Sequence, residues 1–237
     1  THLETYDEEL GRETWEEIGI ETVAAVVPDT SGPAATVGRI ETVACEIVKA
    51  GRFLVSLGGE HSITAPLVRA VRTAHPGLGV LQLDAHADLR DEFEGSPFNH
   101  ACVMHRVLDD GVPLAQIGIR ALTGEERTLI RERGICTVFA PEAVRSPVAD
   151  WIGRVLAALP EEVYVTVDLD VFDPSIMPAT GTPEPGGLDW YRALDVLREV
   201  ARTRRIVGFD VVELSPMPGN VAPDFLAAKL IYRLLGY

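Results

Sequence analysis

The chain predicts an α/β fold, a three-layer α-β-α arrangement around a mostly parallel sheet, from three observations. Short apolar runs recur without polar alternation, longer helical patterns separate them, and Asp, Glu or His residues stand where several runs end. Non-alternating runs suit strands buried on both faces, as in a parallel sheet with helices on either side. Ligand sites in such sheets lie beyond the carboxyl ends of the strands.

In chain order, strands are expected near Glu21–Val27, Phe53–Leu57, Gly79–Asp84, Ala115–Ile119, Cys136–Val138, Val163–Asp168 and Arg205–Asp210, each a short apolar run. Helical patterns fill the intervals near Ala34–Ala50, Ile63–His75, Asn99–Asp109, Glu125–Arg133, Val148–Leu159, Asp189–Thr203 and Pro223–Leu235. Pro and Gly concentrate in loops, notably Pro28–Pro33 and Met177–Gly187. The second of these follows the Val163–Asp168 strand and is expected either to border a site or to be a stiff surface loop.

Three strand ends carry the chemistry. Gly79-Val80-Leu81-Gln82-Leu83 runs into Asp84-Ala85-His86-Ala87-Asp88, with three metal-type ligands at every second residue. In an extended chain such residues point the same way. Val163–Val167 ends in Asp168-Leu169-Asp170, and Phe53–Leu57 ends in Gly58-Gly59-Glu60-His61. A single Asp-x-His or Asp-x-Asp is ordinarily a loop cap or a solvated strand end. Three such ends delivering His61, Asp84, His86, Asp88, Asp168 and Asp170 instead read as a metal site, and one too rich in ligands for a single ion. Without cysteine in the set, structural zinc and iron–sulfur clusters are disfavoured. Four carboxylates and two imidazoles suit a divalent ion such as Mn²⁺ better than Ca²⁺ or Mg²⁺, with Co²⁺ and Fe²⁺ admitted. Two ions would cancel the mutual repulsion of the carboxylates, and paired ions roughly 3.5–4 Å apart generate a hydroxide at neutral pH.

Composition bounds the rest. A chain of 237 residues, 46% hydrophobic, can bury one substantial core, and no linker or repeat divides it, so residues 1–237 are read as one domain. The formal net charge of −15 and the lack of a basic stripe exclude nucleic acid as a natural partner. Cys45, Cys102 and Cys136 are scattered and odd in number, so no disulfide framework is indicated, and Cys45 and Cys136 read as small core residues. No apolar run approaches the roughly 20 residues that span a membrane. The expectation is a soluble cytoplasmic protein.

GGEHS at 58–62, DAHAD at 84–88 and DLDVFDPS at 168–175, with the tail from Gly208 to Pro216, resemble the signatures of the arginase/agmatinase (ureohydrolase) family, most like prokaryotic agmatinases. The resemblance runs from about Leu3 to the C-terminus. It implies hydrolysis of a guanidino group to urea and an amine by a hydroxide bridging two Mn²⁺ ions. The first ion would take His61, Asp84, Asp88 and Asp168, and the second His86 and Asp170, with Asp84 and Asp168 bridging. Asp88 would also orient the hydroxide, His100 would pass a proton to the departing amine, and Glu213 would pair with the guanidinium. Both His100 and Glu213 would thereby touch substrate. Without the resemblance, His100 is a plain loop histidine. His75 and His105 are read as loop and helix-surface residues, and His2 as terminal.

The stretch Leu89–Phe98 lacks the Asn-Thr-Pro run of arginases and resembles agmatinases, so agmatine is the expected substrate, giving putrescine. Asp91, Glu92 and Glu94 would suit a distal ammonium, although each alone is more simply solvated. Arginine, aminopropylagmatine and guanidinobutyrate are the alternatives. Two other classes are a single-zinc deacetylase-like hydrolase, which does not need His61, Asp88 and Asp170 together, and a non-catalytic relative. The family resemblance also implies a homo-oligomer, trimer or hexamer. The segment Leu3–Asp7 resembles a point that family members reach only after some tens of residues, so the expected sheet lacks the family's first strand.

Overall fold

The structure is a computed structural model that describes residues 3–237; His2 lies outside them. A small antiparallel ladder comes first, β1 (Tyr6–Asp7) with β2 (Arg12–Glu13), followed by α1 (Thr14–Ile18) and α2 (Pro33–Lys49). Then strands and helices alternate: β3 (Leu54–Leu57), α3 (Thr64–Arg72), β4 (Gly79–Leu83), α4 (Val103–Asp109), β5 (Leu114–Ile119), α5 (Gly124–Arg133) and β6 (Cys136–Phe139). The chain continues through α6 (Ala140–Arg145), α7 (Val148–Ala158), β7 (Glu162–Asp168), α8 (Trp190–Thr203), β8 (Arg205–Val212) and α9 (Ala222–Gly236).

Strands β3 to β8 form one parallel sheet in the order β3-β8-β7-β4-β5-β6. Its two faces are covered differently. Leu81, Leu83, Val163, Val165, Val167 and Phe209 point into a core shared with α7, α8 and α9. Val80 and Tyr164, one residue out of step, point into a second core shared with α2, α3 and α4. The three-layer expectation therefore holds, and period-two alternation decides which residues share the α3 face. Gln82 and Asp84 follow Val80 on that face, and Thr166 and Asp168 follow Tyr164.

Local chemistry sets the helix boundaries. Thr123 and Glu126 close a capping box at the start of α5, and the Asp189 side chain accepts the Arg192 N–H at 2.8 Å to start α8. The buried residues of α8, Ala193, Leu194, Val196, Leu197 and Val200, make a single stripe at helical spacing.

The strand expected at Glu21–Val27 does not form. That segment makes no bridge, and Val23 and Val27 are 56% and 69% exposed. An apolar run becomes a strand only beside a ladder partner, and here none is offered among the described residues. Among the described residues strand β3 is one edge of the sheet, paired only with β8, with Phe53 and Leu57 largely exposed. The β1–β2 ladder and helices α1 and α6 were not foreseen, being too short to carry a period. The ladder is held instead by long-range contacts to α9: Arg233 Nε to Asp7 at 2.6 Å, and Arg12 Nη2 to the Gly236 carbonyl at 2.5 Å. Cys45 and Cys136 are half-buried at the margins of the cores, and Cys102 is the fully buried one.

Candidate metal centre

Beyond the carboxyl ends of β3, β4, β7 and β8, all six predicted ligands converge. Asp84 follows β4 directly, and its N–H donates to the Ile117 carbonyl at 3.1 Å, extending the ladder by one bond. Asp168 ends β7 and caps a 3-10 turn over Leu169–Val171, accepting the Asp170 N–H at 2.9 Å. His61 begins a second such turn, His61–Ile63, just before α3. Asp88 and Glu213 have positive φ, 54° and 64°. Non-glycine residues seldom hold that conformation, and it recurs at functional sites. Gly118, at φ 97°, sits where a Cβ would lie 2.9 Å from the Asp84 carbonyl oxygen, so a glycine lets β5 bulge against the Asp84 turn.

The side chains form two groups that share Asp84: His61, Asp84 and Asp88, and then Asp84, His86 and Asp170. In the first, His61 Nδ1 lies 3.2 Å from Asp84, 3.0 Å from Asp88 and 3.4 Å from Asp168. In the second, His86 Nδ1 lies 2.9 Å from Asp170 and 3.7 Å from Asp84. The second oxygen of Asp168 is committed to the Asp170 amide, so Asp168 faces the first group with one oxygen while Asp84 stands between both.

The fit to divalent ions shows in what is unsatisfied. Among the described residues, buried His61 Nδ1 has no hydrogen-bond partner, although it faces three carboxylates. Burial pushes Asp88 up to about 7, reinforced by the charge of Asp84. Asp168 and Asp170 are also raised, by burial and then by Asp84. Burial alone would lower His86, yet Asp170 and Asp84 push it up to about 11. Such a cluster needs protons or cations to coexist, and buried ionisable groups with displaced affinities mark functional sites. Its all-oxygen and imidazole donors suit a pair of first-row divalent ions.

The supporting shell went unnoticed in the sequence. Gln82 Nε2 donates to Asp84 at 2.7 Å, and Gln116 Nε2 donates to Gln82 Oε1 at 2.6 Å. Arg120 donates to the backbone carbonyls of Asp170 and Glu184, each at 2.7 Å, binding the Asp170 turn to the 177–187 loop. Thr182 of that loop reaches Asp170 at 3.4 Å, so the loop borders the site. The signal for Gln82 was a polar residue inside an apolar run, two positions before Asp84.

His100 and Glu213 lie beside the cluster. Glu213 Oε1 accepts the His61 N–H at 2.8 Å, and burial raises its carboxyl above the ordinary range. His100 begins a 3-10 turn, with Nδ1 3.0 Å from Glu60 Oε1, and that contact raises its affinity for a proton. Glu60 was not singled out in the sequence despite lying next to His61. Of the acids in the 89–98 loop, Asp91 is engaged with Arg106 at 2.6 Å, while Glu92 and Glu94 are exposed. Phe93 meets the His100 ring edge-on at 6.0 Å, which brings this loop to the rim of the site. His75 and His105 stay outside it, held by Glu162 and by the Leu89 carbonyl, both at 2.9 Å.

A model of the arginase family matches residues 1–236. The N(1)-aminopropylagmatine ureohydrolase of Synechocystis sp. is 45% identical over 99% of this chain and 78% of its own length. The agmatinase of Pyrococcus horikoshii is 38% identical over 82% of this chain and 68% of its own. Among solved structures, an agmatine ureohydrolase of Thermoplasma volcanium superimposes with a TM-score of 0.87 at 30% identity, covering 99% of this chain and 78% of that one.

Proposed function

The chain belongs to the arginase family, and from that premise we propose that it hydrolyses the guanidino group of an amine-bearing guanidine to urea and the free amine. The observation that carries the proposal is the pair of ligand groups sharing Asp84. His61, Asp84, Asp88 and Asp168 would hold one divalent ion, Mn²⁺ by ligand character, and His86 and Asp170 a second, with Asp84 common to both. Such a pair supplies a water acidic enough to act as nucleophile near neutral pH. The protein's own groups do the remainder. Glu213 holds the guanidinium, whose planar fork matches a carboxylate. Asp88 accepts a hydrogen bond from the attacking water and orients it at the guanidino carbon. As the carbon–nitrogen bond breaks, His100 delivers a proton to the leaving amine, and Glu60 keeps that imidazole oriented and raises its affinity for a proton.

For the substrate, N(1)-aminopropylagmatine is placed first and agmatine, the expectation from sequence, second. Both lack the α-carboxylate for which the 89–98 loop has no Asn-Thr-Pro run, and the relative named for the longer substrate shares more identity than the agmatinase does. The exposed Glu92 and Glu94 at the rim suit a polyamine tail. The same reading takes the enzyme as cytoplasmic and homo-oligomeric; among the described residues, no helix is long and apolar enough to cross a membrane. The test is urea release from aminopropylagmatine, agmatine and arginine, with Mn²⁺ and with chelator. Metal-dependent turnover fastest on aminopropylagmatine is expected. Preference for arginine would overturn the substrate, and no urea from any of the three would overturn the function.

A further inference from the structure

Behind His61 stands a buried chain of oxygens. Its Nε2 lies 2.8 Å from Thr166 Oγ1, and that hydroxyl donates to Asp210 Oδ1 at 2.6 Å. The other Asp210 oxygen accepts from Tyr164 at 2.8 Å and from Thr64 at 3.0 Å. All five side chains are fully buried. Sheet register builds the row. Thr166 and Asp210 are partners across β7 and β8, and Tyr164 lies opposite Gly208. A Cβ at Gly208 would come within 3.1 Å of the Tyr164 ring, so the glycine leaves room for that ring to carry its hydroxyl to Asp210.

Hydrogen counting gives this row a consequence. A threonine hydroxyl has one proton, and Thr166 directs it at Asp210. Towards His61 it can only accept, so Nε2 must carry hydrogen. In a neutral imidazole protonated at Nε2, the lone pair is on Nδ1. Nδ1 is the atom that faces Asp84, Asp88 and Asp168 with no hydrogen-bond partner. By contrast the His86 side chain is 26% exposed and has no such buried anchor among the described residues.

We infer that Thr166 and Asp210 form a positioning relay that fixes the tautomer of His61, reserving Nδ1 as a metal donor and strengthening the first metal position selectively. The inference rests on the two-ion reading above. Thr64 and Tyr164 hold the far end of the relay by occupying the remaining oxygen of Asp210. A ligating histidine whose distal nitrogen loses its partner weakens metal binding by about 10–100-fold.

The test compares Mn²⁺ affinity, by chelator competition, and the Mn²⁺ electron paramagnetic resonance spectrum. Wild type, Thr166→Val, which removes the hydroxyl at nearly constant shape, and Thr166→Ser, which restores it, are measured side by side. In Thr166→Val one ion is expected to weaken about 10–100-fold while the other is retained, so the spectrum of a coupled pair gives way to that of an isolated ion. Thr166→Ser should restore the pair. On a His86→Ala background, which leaves the first position, Thr166→Val should weaken the remaining ion by the same factor of about 10–100. If Thr166→Val does not fold, Asp210→Asn, which keeps an acceptor for Thr166 but loses the charge, should weaken the same ion. Wild-type affinity for both ions in Thr166→Val, equal weakening of both, or failure of Thr166→Ser to restore the pair would each overturn the relay alone. A wild-type protein that binds no pair of ions would overturn the two-ion reading and the relay with it.

Discussion

The Glu213 carboxylate accepts the backbone N–H of His61 at 2.8 Å, which fastens the acid after the last strand to the segment that carries the first histidine of the cluster. Among the described residues only one oxygen of Glu213 is used in this way, which leaves the other for the proposed guanidinium contact. Glu213→Gln keeps an acceptor for the His61 amide but loses the charge. The variant should retain two metal ions and lose about 10–100-fold in kcat/KM, chiefly through KM. Elemental analysis together with urea kinetics checks it, and full activity would remove Glu213 from guanidinium binding.

Asp84 is common to both ligand groups, whereas His86 belongs to one. Asp84→Asn should therefore lose both ions and reduce urea release on the order of a thousandfold or more. His86→Ala should keep one ion. Metal content of the purified variants, measured before any assay, distinguishes the two outcomes.

The metal-free protein should lose stability as pH rises. Asp88 is raised from 3.8 to about 7 by burial, so between those values the folded state holds a proton that the unfolded state has released. Its contribution to stability falls as pH rises through that window. His86, raised to about 11, acts in the same direction: its stabilising contribution is complete below 6.5 and is lost as pH climbs towards 11. Thermal unfolding with chelator should show a higher midpoint at pH 5.5 than at pH 8. With Mn²⁺ the order should reverse, because the ligands bind metal only when deprotonated.

Glu60 raises the proton affinity of His100 through a hydrogen bond and its charge. In Glu60→Gln the charge is gone, His100 releases its proton at lower pH, and the alkaline limb of the kcat profile should move to lower pH. An unmoved limb would separate His100 from the proton delivered to the amine.

How far the sequence carried depended on what each element needs. Strands β3 to β8 were legible because each is a short apolar run between helical patterns, and the six clustered acids and histidines because they stand where those runs stop. The Glu21–Val27 segment has the same composition but makes no ladder, and pairing is not a local property. Thr166 and Asp210 look like interruptions of apolar runs, and only cross-strand register shows that they are partners beside His61. Glu60 was overlooked because its contact with His100 spans 40 residues of chain. Asp91 is engaged by Arg106, a contact across 15 residues that no local pattern displays.

The central claim is that two ions sit in one cluster around Asp84, and anomalous diffraction from crystals grown with Mn²⁺ tests it most directly. Two peaks are predicted, one among His61, Asp84, Asp88 and Asp168 and the other among Asp84, His86 and Asp170, both lost with chelator. A single peak, or none at these side chains under saturating Mn²⁺, would contradict the two-metal reading.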